Sequence, residues 1–254
     1  PMFTKTLHRF RSLPLAAKAM VYLFWIYEFS QLIVNLFLNV FVFLQTQSLR
    51  SLVVYNLVFF SAVFVGFVLW GFVMAQLQIS LRLNYLRAFV IYILSFVSLI
   101  IFPHDFIPLL LFSALNGLGL GIFWVGVHSY EMLTTDQKNR DFYSSMVSAG
   151  AQVLGIFSPL VATFSFYLSE FVFHVETFTL LFWLLPFVYL FCLPFVFRLP
   201  NFTPPRIHRV EFKRLFFNSK LKTIRSYIFS SALAWVIRVI IMPTIIIASL
   251  KNVI

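Results

Sequence analysis

The chain has 254 residues, 61% of them hydrophobic and 11% charged, with a mean hydropathy of +0.94. An ordinary soluble domain carries about 25% charged and about 45–50% apolar residues, so this composition excludes one and points to a membrane protein embedded in a lipid bilayer. The net charge of +11 does not point to nucleic acid, because the basic residues gather in the short stretches between hydrophobic segments.

Hydropathy predicts seven spanning helices, over about 19–44, 52–75, 86–102, 107–131, 143–168, 177–197 and 226–249. Each approaches or exceeds the ~17–25 residues that a crossing requires. The first is too long for a signal-peptide core and lacks a small-residue cleavage site. It is apolar except for Glu28, Ser30, Gln31, Asn35 and Asn39. At ~100° per residue, Glu28, Gln31, Asn35 and Asn39 share an arc of about 80° and make a stripe. A charge near the membrane centre costs ~2.5–3.5 kcal/mol on insertion scales, so it faces protein or water and marks a pathway. The alternative is a stripe that holds a neighbouring helix and nothing more.

The separators Gln45–Ser51, Gln76–Tyr85, Pro103-His104-Asp105, Thr134–Asp141 and Ser169–Glu176 carry turn or charge signals. The fourth segment ends with His128 and Glu131 one turn apart. Such a pair can relay protons, but two ligands do not make a metal site, so the expected role is a cytoplasmic gate with Lys138 or Arg140. The fifth segment places Ser145, Ser148, Gln152 and Thr163 on one face with Gly155 and Pro159. The sixth holds the lone cysteine, Cys192, which has no intrachain disulfide partner.

A stretch of about 28 residues, Arg198–Arg225, then separates the sixth and seventh segments. Its Lys and Arg, interleaved with Phe212, Leu215, Phe216 and Phe217, fit a short amphipathic helix on anionic headgroups. If all seven segments span, sixteen of the nineteen Lys and Arg fall on one side. The excess predicts a cytoplasmic N-terminus and a cytoplasmic basic loop in a multi-pass protein of the cell (plasma or inner) membrane. The seventh segment carries Arg238, about 18 Å from its cytoplasmic end against about 14 Å for Glu28, depths that allow the two to pair.

The expected fold is therefore an all-α polytopic membrane protein. Residues 1–197 form an N-terminal six-helix bundle, 198–225 a basic cytoplasmic loop, and 226–254 the first helix of a truncated C-terminal half. The chain starts at Pro1 before Met2 and stops four residues after Leu250, as a fragment or a naturally truncated form of a twelve-helix protein would.

Residues in the fourth and fifth segments carry a family resemblance. The run Asn116-Gly117-Leu118-Gly119-Leu120-Gly121-Ile122-Phe123-Trp124, the loop Thr135–Asp141 with its Arg140, and Gly150, Gly155 and Pro159 resemble the corresponding stretches of the major facilitator superfamily. Asn116 stands near where many members have an Arg, and Ala75 takes the expected Asp position after Gly71 in the motif between helices two and three. Of that motif's basic residues, Arg82 and Arg87 remain. The resemblance implies two six-helix halves that rock around a central site, to which helices one, four and five contribute. It makes Glu28, Gln31, Asn35, Asn39, Ser148, Gln152 and Arg238 the candidate solute and ion pathway, and His128, Glu131 and Arg140 the candidate gate.

The expected function is secondary active transport of a small-molecule solute, with protons as the candidate coupling ion and a missing C-terminal half as partner. A membrane scaffold or receptor-like protein is the first alternative. An intramembrane enzyme using His128/Glu131 or His104/Asp105 is the second, but no GxSxG, phosphate loop or HExxH supports it and no cofactor is expected.

Overall fold

A computed structural model describes residues 2–102, 105–136 and 139–204. All of its regular structure is helical. A short amphipathic helix, α1 (Met2–Ser12), leads into six long apolar ones: α2 (Leu15–Thr46), α3 (Leu49–Gln76), α4 (Leu81–Ile101), α5 (Phe106–Thr134), α6 (Arg140–Val172) and α7 (Thr179–Arg198). All six are long and apolar enough to cross a membrane. They coincide with the first six predicted segments, mostly with an extra turn at one or both ends. The predicted seventh segment and most of the basic loop lie outside the described residues.

The starts and stops follow local chemistry. Pro14 precedes α2, where its fixed φ and missing N–H cost nothing. The Ser48 and Ser80 hydroxyls accept from the amides of Ser51 and Leu83, capping α3 and α4. Pro159 lies within α6, and Pro186 and Pro194 within α7; such interruptions are common in membrane helices. A five-residue π-helical turn, Val65–Leu69, widens α3 where Gly66 meets α5.

The sequence reading missed α1, which is short, amphipathic and cut off by Pro14. The Arg9 guanidinium lies 5.1 Å from the Phe142 ring centre and the Phe10 ring is 5.9 Å from Tyr22, so the helix sits against the ends of α6 and α2.

α2 is the hub, packed against α3, α5, α6 and α7, while α4 lies between α5 and α7. The α3–α5 crossing is close enough to need glycine. A Cβ on Gly117 would stand 2.3 Å from the Phe59 carbonyl oxygen, and one on Gly121 would stand 2.4 Å from that of Val63. The Gly-rich run does what was expected of it, letting two backbones meet. Outward, large apolar side chains such as Phe64, Ile156, Leu160 and Phe191 are more than 60% exposed, an arrangement that suits lipid.

Arg9, Arg11, Lys18, Arg82, Arg87, Arg140 and Arg198 gather at one end of the bundle, and Arg50 lies at the other. At the basic end the chain after α7 is fastened to α4 and α5. Arg82 donates to the Leu199 carbonyl, the Leu81 amide donates to that of Phe202, and Tyr130 donates to that of Pro200.

Candidate functional site

The polar stripe of α2 divides among several neighbours. Gln31 is buried in the bundle core, where its side-chain amide donates to the Tyr189 hydroxyl of α7 at 3.0 Å. The Tyr189 ring stacks on Tyr92 of α4 (4.8 Å, 9°), and the Tyr92 and Tyr27 hydroxyls share a hydrogen bond of 2.8 Å. Tyr27 in turn stacks on Phe123 of α5 at 3.6 Å. Three tyrosines and a glutamine thus tie α2, α4 and α7 together at the centre of the bundle.

Asn39 is also buried, and its side-chain oxygen accepts from the Asn56 amide of α3 at 3.0 Å. Asn35, half-buried, lines a shallow groove with Tyr55 and Asn56. The stripe therefore serves helix packing at Gln31 and Asn39, while Glu28 stands one turn nearer the basic end, half-buried. Among the described residues Glu28 has no ion-pair partner. Arg238, its expected partner, lies outside them.

The second set of predicted residues converges. A cavity of about 300 Å³ opens near the basic end between α2, α5 and α6. Phe24, Trp124 and Val127 supply apolar wall, and His128, Glu131, Ser148 and Gln152 supply polar groups. The size is at the lower edge of small-molecule sites, ~300–1,000 Å³. Two predicted pathway residues thus share one space with two predicted gate residues.

Geometry holds its α5 side in place. His128 stacks on Trp124, with centroids 5.3 Å apart and planes 29° apart, and Phe67 of α3 meets its edge at 6.2 Å. Its Nδ1 lies 4.0 Å from Glu131 Oε2, and Glu131 Oε1 accepts from the Ser144 hydroxyl of α6 at 2.8 Å. Glu131 therefore links α5 to α6 across the mouth. Arg140 does not join this pair; it donates to the hydroxyl and carbonyl oxygens of Thr135, at 3.2 and 3.3 Å, and closes the loop instead.

On the opposite wall, Ser148 and Gln152 are exposed one turn apart. Below them α2 and α6 approach closely. A Cβ on Gly150 would fall 2.0 Å from the Trp25 indole nitrogen, which donates to the Met146 carbonyl at 3.2 Å. The polar wall is thus anchored to α2 one turn from Glu28.

Chemically, the cavity offers a carboxylate, an imidazole, a hydroxyl and a carboxamide over an aromatic floor. It can accept from an ammonium or amide N–H and donate to a carboxylate or carbonyl. Among the described residues no third His, Cys, Asp or Glu joins His128 and Glu131 at ligand distance. Sequence reasoning missed the aromatic members, Phe24, Trp124 and the tyrosine cluster. Aromatic residues at helical spacing read as ordinary core, and nothing in the sequence separates a cavity floor from a packed interior.

No protein-family model and no curated protein matches the chain. Its fold matches solved structures. A crystal structure of the peptide transporter POT in complex with sulfate aligns with a TM-score of 0.59 at 15% identity, over 92% of this chain and 50% of that one. A point mutant of POT, also with sulfate, aligns with the same TM-score and identity over 91% and 50%. The chain spans about half the length of the transporter chains it matches. The likeness is one of fold, and it is the fold that the resemblance to the major facilitator superfamily implies.

Proposed function

We propose that this chain forms the N-terminal half of a secondary transporter that carries a small polar solute by alternating access. The observation that carries the reading is the open polar cavity between α2, α5 and α6, in a bundle folded like half of a transporter. His128, Glu131, Ser148 and Gln152 form the mouth of the solute path at the basic end, and Glu28 lies deeper along it. The basic end faces the cytoplasm of a cell membrane, as the Lys and Arg excess favours. Arg238 completes the site from a C-terminal half, pairing with Glu28 or with the solute. Protons are the coupling ion, carried by Glu28 or by the His128–Glu131 pair.

The solved neighbours are named peptide transporters, so short peptides are the first solutes to test. The chain, together with the rest of its reading frame, is reconstituted in liposomes with an imposed pH gradient, and uptake of radiolabelled di- and tripeptides is followed. Gradient-dependent uptake that falls on Gln152→Ala and loses its gradient response on Glu131→Gln supports the reading. Uptake of a labelled solute that ignores both substitutions removes these residues from the path. A scaffold role is the second reading, favoured by the Gln31–Tyr189 and Asn39–Asn56 bonds; a scaffold keeps its function when Glu28 becomes Leu.

A further inference from the structure

A second cavity, of about 340 Å³, opens at the end of the bundle away from the basic loops. It belongs to other helices than the proposed solute path. Phe41, Leu44 and Gln45 come from the last turns of α2, Leu99 and Ile100 from the last turn of α4, and residues 176–179, 182 and 183 from the entry to α7. The proposed path opens on the α5–α6 side of α2 and this cavity on the α4–α7 side, so it is a lateral bay and not the far mouth of that path.

Phe178 and Trp183 present ring surface to the bay, the buried Phe41 and Phe182 back them, and Glu176 puts a carboxylate at its rim. Phe41 is fixed between Phe178 and Phe182, with centroids at 5.0 and 4.7 Å, so the aromatic side is preformed. Trp183 is half exposed and presents indole surface to an incoming group.

Electrostatics at this end favours a cation. α2 and α4 both direct their C-terminal ends, the negative ends of their dipoles, at the bay, against the single positive end of α7. Among the described residues this end carries Asp105, Glu170 and Glu176 against Arg50, the reverse of the opposite end. Aromatic faces with a nearby carboxylate are the chemistry that holds an alkylammonium group, which is weakly hydrated and attracted to ring quadrupoles. A small inorganic cation would need several oxygen ligands converging on it. Besides Glu176 the lining offers Gln45, Thr179 and Thr177, and the Thr177 hydroxyl is already engaged by Glu170, while an anion would meet Glu176.

We propose that the bay between the ends of α2, α4 and α7, lined by Phe41, Phe178, Phe182, Trp183 and Glu176, binds an alkylammonium group at the membrane surface. Two sources present this group: a free quaternary amine, and the headgroup of a choline phospholipid. The inference is independent of what the α2–α5–α6 cavity carries.

Binding of tetramethylammonium chloride to the purified full chain in a choline-free detergent tests it, with sodium chloride at equal ionic strength as reference and tryptophan fluorescence and calorimetry as readouts. Monomeric short-chain phosphatidylcholine and phosphatidylglycerol are titrated in parallel. Saturable binding of tetramethylammonium or phosphatidylcholine, weakened about tenfold or more by Glu176→Gln and by Trp183→Leu, is the expected result. Glu176→Asp should recover part of the loss. Tetramethylammonium alone identifies a free amine as the source; phosphatidylcholine, alone or displaced by tetramethylammonium, identifies the lipid. The proposal is overturned if neither probe saturates, if phosphatidylglycerol binds as well as phosphatidylcholine, or if both variants bind as the parent does. Glu176 is exposed at the surface, and the melting temperature of each variant checks that the fold holds.

Discussion

The Trp25 indole lies against the backbone of Gly150, and its N–H reaches the Met146 carbonyl at 3.2 Å. This contact fixes where the polar wall of α6 stands relative to Glu28. Gly150→Ala places a methyl 2.0 Å from the indole nitrogen, so Trp25 must leave its site and give up its hydrogen bond. Overpacking of this kind costs about 1–3 kcal/mol. Gly155→Ala, with nothing within 4 Å of the added carbon, should leave stability unchanged or raise it. Melting temperatures of the two variants in detergent should separate; equal values would mean that the Trp25–Gly150 approach is not maintained in the protein.

The α3–α5 crossing should be less forgiving still. At Gly117 and Gly121 an added carbon meets main-chain oxygen, at 2.3 and 2.4 Å, and no side chain can turn aside. Gly117→Ala and Gly121→Ala should each lower the melting point more than Gly71→Ala, whose nearest neighbour is a Val125 methyl at 3.6 Å. A ranking that puts Gly71 first would contradict the crossing described.

Gln31 and Tyr189 should couple energetically. Hydrogen bonds between membrane helices average about 0.6 kcal/mol in double-mutant cycles. The cycle built from Gln31→Leu and Tyr189→Phe should return a coupling of that order, read from unfolding in mixed detergents. A zero coupling, with both single variants fully folded, would count against the bond and restore Gln31 to the pathway as a free ligand.

Glu131 separates a structural from a proton-handling role. Glu131→Gln keeps an acceptor for the Ser144 hydroxyl and removes the charge 4.0 Å from His128. If the pair carries the coupled proton, uptake by this variant loses its response to a pH gradient while the melting temperature holds. If Glu131 only ties α5 to α6, Gln behaves as the parent and Ala alone is impaired.

Arg82 should act as a fastener. Its guanidinium holds the Leu199 carbonyl just past the end of α7. Arg82→Ala should speed amide hydrogen exchange over residues 199–204 and leave exchange within α2 untouched. Unchanged exchange there would assign the fastening to Tyr130 and Leu81 alone.

Much of this architecture was legible in the sequence. Apolar runs long enough to cross a bilayer gave six helices within a few residues, because backbone groups in lipid leave the chain no other choice. The gain at several helix ends has a plain cause: Leu15–Ala19 and Ser169–Val172 include polar residues that a hydropathy window discards, yet they continue the helix. The Asn116–Trp124 run gave the close crossing, since glycines at that spacing have little other use. The stripe on α2 was legible as a face but not as contacts. Periodicity fixes direction and cannot say that Gln31 meets a tyrosine 158 residues further on. The shared cavity of His128, Glu131, Ser148 and Gln152 needed the relative placement of α5 and α6, which no local pattern encodes. Asn116 is buried with neither side-chain amide atom hydrogen-bonded.

The central position of α2 also bears on the order in which the protein is made. Among the six described spans this helix emerges from the ribosome first, yet its hydrogen-bonding partners are born later: Asn56 soon after, Tyr92 next, Tyr189 last of all. Until then Glu28, Gln31 and Asn39 sit in one of the less hydrophobic spans, with a mean hydropathy of 1.6 against 2.4 for α3. A newborn α2 therefore has reason to linger beside the insertion machinery, or to enter lipid together with α3. The described bundle closes around α2 only when α7, with Tyr189, arrives.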